Sequence, residues 1–184
     1  MDERRDSAVK FTYDDYVLLP EDQRCELIEG EFVMTPAPFT RHQIVSQRLE
    51  YELMRQVARR ALGQMLHAPT DVVLSRHTVV QPDILVVVRE HTGIIEKAYV
   101  RAAPDLVVEI LSTGDPGRDR KIKRKLYFKY GVREYWIVDP DACTVEVCVR
   151  GRGQFRTVRV WRAPEALRSP LFPKLRIRLG PVFA

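Results

Sequence analysis

Two carboxylates interrupt the most apolar runs of the chain, Asp83 in Gln81-Pro82-Asp83-Ile84-Leu85-Val86-Val87-Val88 and Glu109 in Leu106-Val107-Val108-Glu109-Ile110-Leu111. An unpaired buried charge costs several kcal/mol, so acids placed in such strands call for a cation or a functional reason. The segment from Asp119 to Tyr130 supplies a third group. At about 100° per residue, Ile122, Leu126, Tyr127 and Tyr130 fall on one helical face. Lys123 lies near the middle of that face, whereas Lys121, Arg124 and Lys125 point elsewhere. An Asp, a Glu and an inward Lys on strand, strand and helix can hold a divalent metal, position a water and stabilise a charged phosphoryl transition state.

These three residues need a sheet and a helix to bring them together. Residues 11–19 read as a short lead-in helix or turn, and 26–34 as a strand or a hairpin turning at Gly30, ended by Pro36 and Pro38. A helix is predicted from Thr40, which can cap it, with Val45, Leu49, Leu53, Val57 and Ala61 along one side and Arg41, Arg48, Arg55, Arg59 and Glu50 on the other. After Gly63 the pattern changes to strands at 64–68, 71–75, 79–88 and 106–111. The last two are apolar on both faces, the mark of central strands covered on both sides. A turn over 112–118 leads into the Lys123 helix, which starts at Asp119 or the residue before it and is closed by Gly131 as a C′ glycine. Residues 134–139 return as a buried strand, so the order strand, helix, strand implies a crossover and a mixed sheet. Alternating segments 142–149 and 154–161 form a C-terminal β-hairpin extension, and 175–179 hold one more short strand.

The residues taken together resemble the PD-(D/E)XK nuclease superfamily and, within it, the Uma family of restriction endonucleases, formerly a domain of unknown function. The resemblance rests on Glu26-Leu-Ile-Glu-Gly-Glu31, His42 opening the first long helix, Gln-Pro-Asp83, Pro-Asp-Leu-Val-Val-Glu109, Asp119-Arg with Lys123 and Tyr127, Gly-Val-Arg-Glu-Tyr-Trp-Ile-Val-Asp139, and the tail Leu-Phe-Pro-Lys-Leu. It implies an α/β restriction-endonuclease-like core, a mixed central sheet flanked by helices, and metal-dependent phosphodiester hydrolysis on DNA. The chain departs from the simplest superfamily pattern at Leu111, where the strand lysine would stand. Some branches supply that charge from the following helix, and the helical wheel independently selects Lys123. The resemblance also makes His42 an accessory residue reaching the metal site. If a third acid completes the site, Glu31 is the preferred one.

Asp105 and Glu109 share a face of one strand, but four residues at roughly 3.3 Å each put them about 13 Å apart, too far to share one ion. Asp83, near the start of a neighbouring strand, is the better partner, because strands about 4.8 Å apart can bring two carboxylates to one Mg²⁺ (or Mn²⁺) at about 2.1 Å. Asp105 is expected to be a polar residue at a strand entrance. His67, His77 and His91 have no mutual metal spacing, and Tyr127, Tyr135 and Trp136 are expected in the core.

With 184 residues, 45% of them hydrophobic and 30% charged, one globular domain accounts for the chain. Thirty Lys and Arg against 25 Asp and Glu give +5, with basic residues gathered in 118–129 and 150–162, a balance that suits a polyanion such as DNA. Three cysteines without zinc spacing fit reduced thiols in a cytoplasmic protein, and no apolar run is long enough to cross a bilayer. Gly-x-Gly-x-x-Gly, Walker, Gly-x-Ser-x-Gly and His-Glu-x-x-His patterns are all absent from the sequence, which excludes those enzyme classes. Three readings remain: an Mg²⁺-dependent endonuclease, a non-catalytic DNA-binding or regulatory protein on a nuclease-like fold, and a structural protein whose acids form buried ion pairs. Duplex cleavage would need two active sites, hence a homodimer.

Overall fold

The computed structural model describes residues 9–20, 23–112 and 116–184, with side chains of 116–119 left aside. After a one-turn helix α1 (Tyr13–Tyr16), strands β1 (Cys25–Ile28) and β2 (Glu31–Met34) form a hairpin. Its two-residue turn is Glu29-Gly30, both at positive φ (52° and 91°), the conformation that matches the twist of an antiparallel pair. Helix α2 (Thr40–Arg59) follows. It lays Val45, Leu49, Leu53 and Val57 into the core, each worth about 1.5–3 kcal/mol on full burial. Thr40 is its first residue rather than its cap. Phe39 holds the N-cap position without a side-chain hydrogen bond, and Ala61 falls beyond the helix at positive φ.

Strands β3 (Gly63–His67), β4 (Val72–Ser75), β5 (Thr78–Val80) and β6 (Ile84–Val88) come next. The apolar run over 79–88 is therefore two strands, not one. Pro82 has no N–H to give a ladder, and the chain breaks there, passing from one sheet to another. A 3₁₀ turn, Arg89–Ile94, leads on towards β7 (Leu106–Ile110); helix α3 (Pro116–Tyr130) begins upstream of Asp119 and ends at Gly131, whose φ is 102°. Strands β8 (Glu134–Asp139), β9 (Thr144–Arg150), β10 (Phe155–Arg162), β11 (Ala166–Leu167) and β12 (Ile177–Arg178) and helix α4 (Leu179–Phe183) complete the chain.

The main sheet has the order β10-β9-β8-β7-β6-β3 and is mixed, because β7 and β8 run parallel across the α3 crossover while the other pairs are antiparallel. The C-terminal hairpin β9–β10 extends this sheet. A smaller sheet has the order β2-β1-β5-β4. Alternation divides the core in two. Ile84, Val86, Leu106, Val108 and Trp136 pack with α2, whereas Leu85, Val87, Val107, Tyr135 and Ile137 pack with Leu126 and Tyr127 of α3. Every residue of β6 and β7 is buried, as expected of central strands. Ile122, expected on the inward face of α3, is exposed. That face is Lys123, Leu126, Tyr127 and the half-buried Tyr130, at i, i+3, i+4 and i+7. Among the described residues no helix is long and apolar enough to cross a membrane.

Candidate active site

Glu109 occupies an α3-facing position of β7, between inward Val107 and half-buried Leu111. Its carboxylate meets two side chains of α3: Lys123 Nζ lies 3.1 Å from Glu109 Oε1, and the Tyr127 hydroxyl donates to the same oxygen at 2.5 Å. Lys123 and Tyr127 are one turn apart, so a single helical face presents both. Lys123 also lies 3.1 Å from Glu26 Oε1 on β1. All three ionisable groups are withdrawn from solvent, with Lys123 at 7%, Glu109 at 8% and Glu26 at 4% exposure, a burial that such groups sustain only with partners. Lys123 thus reaches Glu109 from the helix, on the inward face that the helical wheel predicts for it.

Asp83 follows Pro82 at the break between β5 and β6. The pairing Ile84↔Val108 sets Asp83 opposite Glu109 on the adjacent strand. Its Oδ2 accepts the Ile110 N–H at 2.7 Å and faces His42 Nε2 of α2 at 3.3 Å. Gln81, two residues earlier, donates its N–H to Glu26 at 2.9 Å and its side-chain amide to Asp71 at 2.8 Å. The inter-sheet crossing that carries Asp83 is thereby pinned to β1, to Asp71 and to β7.

The electrostatics follow from burial and this crowding. Burial pushes the Glu109 carboxyl up, Lys123 opposes that, the Asp83 and Glu26 charges add to it, and the Tyr127 hydrogen bond opposes it; the result is about 8. Burial, followed by the Glu109 charge, holds the Tyr127 phenol well above its usual 10. For His42, burial acts downward, but the hydrogen bond to Asp83, its charge and the Ile110 carbonyl outweigh it and lift the imidazole above 6.5. His42 Nδ1 is buried without a hydrogen-bond partner. A cleft of about 490 Å³, lined by Thr40, His42, Ser46, Glu50, His67 and Asp83 among others, opens beside the His42–Asp83 pair.

The structure therefore brings Lys123 to Glu109, sets Asp83 opposite Glu109 and places His42 against Asp83. Glu31 is exposed on the edge strand β2 and has no described contact with these groups. The acid that joins Lys123 and Glu109 is Glu26, not Glu31; its signal in the sequence is a carboxylate between Cys25 and Leu27 in a strand. Tyr127, expected only as a core aromatic, is a direct partner of Glu109, and its spacing of four from Lys123 carried that information. Asp105 is a buried anchor, accepting from Val88 N, His91 Nδ1 and Arg133 at 2.8, 2.8 and 3.1 Å.

The donor set is one of hard oxygens. Among the described residues, hydrogen bonds to the two carboxylates fall on Glu109 Oε1 and Asp83 Oδ2, which leaves Oε2 and Oδ1 as acceptors for a cation. No group of three or more His, Cys, Asp or Glu is assembled as a metal cage among the described residues. Two carboxylates nevertheless fit Mg²⁺, which keeps several waters and commonly takes only one or two carboxylates from a protein.

The model of the Uma2 family, described as "Putative restriction endonuclease", matches residues 13–180. The chain belongs to the Uma2 family. The chain is also similar to the crystal structure of "a putative nuclease belonging to DUF820" from Anabaena variabilis, at a TM-score of 0.77 and 24% identity, covering 94% of this chain and 97% of that one. This likeness shows a shared nuclease-like fold. No curated protein matches the chain. Within this Uma2 chain, the sheet break at Pro82 and the α3 crossover are the two features that bring Asp83, Glu109 and Lys123 to one end of β7.

Proposed function

We propose that this Uma2 chain is a metal-dependent endonuclease that hydrolyses DNA phosphodiester bonds. The observation that carries the reading is Lys123, buried on α3 and 3.1 Å from both Glu109 on β7 and Glu26 on β1. Three separate elements converge on a charge cluster that a stable core does not require, since burying an ion pair rarely stabilises more than apolar packing would. Asp83 and Glu109 would hold Mg²⁺ or Mn²⁺. The chemistry such an ion supplies when bound is activation of a water and neutralisation of charge on the scissile phosphoryl group.

The protein's own groups do the rest. Lys123 orients the attacking water or stabilises the negative charge that develops on the phosphoryl oxygens. Tyr127 and Glu26 fix the Lys123–Glu109 geometry. His42 holds Asp83 from the α2 side, next to the cleft through which a phosphate would approach. One site cuts one strand, so duplex cleavage requires a homodimer with two sites about the duplex.

The pairing of Lys123 with two carboxylates also favours a second reading, a DNA-binding protein on a nuclease-like fold whose lysine is neutralised. Incubation with supercoiled plasmid and labelled oligonucleotides in Mg²⁺ or Mn²⁺, against EDTA, separates the two. Nicked or linear product that EDTA suppresses is the expected result. Binding without cleavage in either ion establishes the second reading instead.

A further inference from the structure

The chain's excess of positive charge sits in one ribbon. Residues 147–164 hold five arginines, Arg150, Arg152, Arg156, Arg159 and Arg162, with no lysine and no acid, which equals the net +5 of the whole chain. The rest of the chain is balanced. This segment spans the end of β9, the turn and all of β10, the edge strand of the main sheet, and all five arginines are exposed.

Two of the five are braced. The Arg150 guanidinium lies 4.3 Å from the Phe128 ring centroid and donates to the Phe128 carbonyl. That of Arg159 lies 4.0 Å from the Trp161 ring centroid and bridges to Glu165. Arg152 and Arg156 have no described side-chain partner, and Arg162 lies within the field of the Glu165 carboxylate. Four basic groups of α3 are instead matched by acids, Arg120 and Arg124 by Glu146, Lys129 by Glu29 and Lys123 by Glu26 and Glu109, which leaves Lys121 and Lys125 as its exposed cations. Charges on an edge strand ordinarily serve to block strand pairing, a task for which lysine is the usual residue. A segment whose only charged residues are arginines, stiffened by aromatic stacking, with Glu146 turned to α3 and Glu165 just beyond its end, instead has the character of a phosphate-binding surface.

Its placement fits. Glu109, Ile137, Glu146 and Val160 occupy one cross-strand row, so β10 runs about 14 Å from the Glu109 position at about 4.8 Å per strand. Arg156 pairs with Val149 and Arg162 with Thr144, five positions apart, or about 17 Å at 3.4 Å per residue. Pairing partners an odd number apart put Arg156 and Arg162 on opposite faces of the edge strand, so their long side chains flank its open edge over that length and a duplex lying along the edge meets both.

We propose that the β9–β10 ribbon is a phosphate-binding arm for duplex DNA, holding the duplex backbone on the flank of the Asp83–Glu109–Lys123 site. The identity of the polyanion rests on the DNA reading above, whereas the arm's existence does not depend on cleavage. The test is fluorescence-anisotropy binding of a duplex of about 20 base pairs in EDTA, at several salt concentrations. It compares wild type, Arg152→Gln/Arg156→Gln/Arg162→Gln, and Arg24→Gln/Arg89→Gln/Lys97→Gln, which removes equal charge elsewhere on the surface. Three phosphate contacts at about 0.9 each predict that the ribbon variant lowers the slope of log affinity against log salt by about 2.7 and weakens binding at least ~10-fold at 0.1 M salt. The control should change the slope by less than about 1. Equal losses from both triple variants, unchanged binding by the ribbon variant, or no duplex binding by wild type would each overturn the arm. So would a ribbon-dependent affinity for phosphatidylserine vesicles in place of duplex. Ribbon-dependent binding without cleavage in Mg²⁺ supports the arm while refuting the hydrolase reading, and cleavage with ribbon-independent binding does the reverse.

Discussion

Replacing Glu109 by Gln should stabilise the fold, increasingly so as pH rises. In the unfolded chain this carboxyl ionises near pH 4.5, whereas in the fold it does so only near 8. Between these values the unfolded state releases a proton that the folded state keeps, so stability is full below pH 4.5 and falls as pH rises to 8. At about 1.36 kcal/mol per pH unit the loss reaches at most about 5 kcal/mol. Gln cannot ionise and escapes it. The substitution also deprives Lys123 of one of two carboxylates at 3.1 Å, but Glu26 remains and the amide oxygen still accepts from Tyr127. The net gain expected for Glu109→Gln is close to zero at pH 5 and about 3.5 kcal/mol at pH 8, or about 7–14 °C in Tm at the higher pH. Urea denaturation of both proteins at pH 5, 6, 7 and 8 measures it. A variant less stable than wild type at pH 8, or a difference that does not grow with pH, would show that Glu109 is an ionised partner that the fold requires, and the structural ion-pair reading would replace the catalytic one.

Lys123→Ala should abolish metal-dependent cleavage with little loss of DNA affinity, while Lys121→Ala and Lys125→Ala, both exposed, should alter at most salt-sensitive binding; equal losses from all three would make α3 simply a phosphate-binding surface. Tyr127→Phe removes the 2.5 Å hydrogen bond to Glu109, and a thermal melt should register a loss of about 1.5–3 kcal/mol. Because that bond lowers the Glu109 pKa, the pH at which metal binding sets in should also move upward. The His42–Asp83 pair stabilises the fold below the unfolded imidazole pKa of 6.5, and this stability is lost as pH rises through the raised folded value. His42→Gln should therefore cost more stability at pH 5.5 than at pH 8.5 in urea denaturation, and a cost independent of pH would mean that no charged pair forms.

Legibility differed between residues for physical reasons. Asp83 and Glu109 stood out because carboxylates are rare in strands buried on both faces, and Lys123 because a helical wheel separates it from its neighbours. The same wheel misplaced Ile122, since the buried arc of α3 is centred on Lys123, Leu126 and Tyr127. Glu26 was hidden by its setting. The strand Cys25–Ile28 is too short to display a period, and its hairpin partner Glu31–Met34 is largely exposed, so a buried carboxylate there resembles a surface one. The break at Pro82 is legible in an internal proline, which ends a ladder, but the unbroken apolar run from Ile84 onward mimics one continuous strand over 79–88. Which of Glu26, Glu29 and Glu31 faces Lys123 depends on how the small sheet sits against α3, and local sequence does not carry that relation. The family resemblance, by contrast, was legible through the order of the fragments along the chain, because they lie at the strand break, the crossover helix and the parallel strand pair that define the sheet.

If Asp83 and Glu109 together hold one divalent ion beside Lys123, titration of the folded protein with Mn²⁺, followed by calorimetry and by the paramagnetic signal of the free ion, detects it. One ion per chain is expected for wild type, with affinity rising from pH 6 to pH 8 as the raised Glu109 carboxyl loses its proton. Asp83→Asn and Glu109→Gln should each abolish that site, and Lys123→Ala should leave it intact. Undiminished Mn²⁺ binding in Asp83→Asn and Glu109→Gln, or no binding by wild type at millimolar Mn²⁺, would contradict a site shared by these two carboxylates.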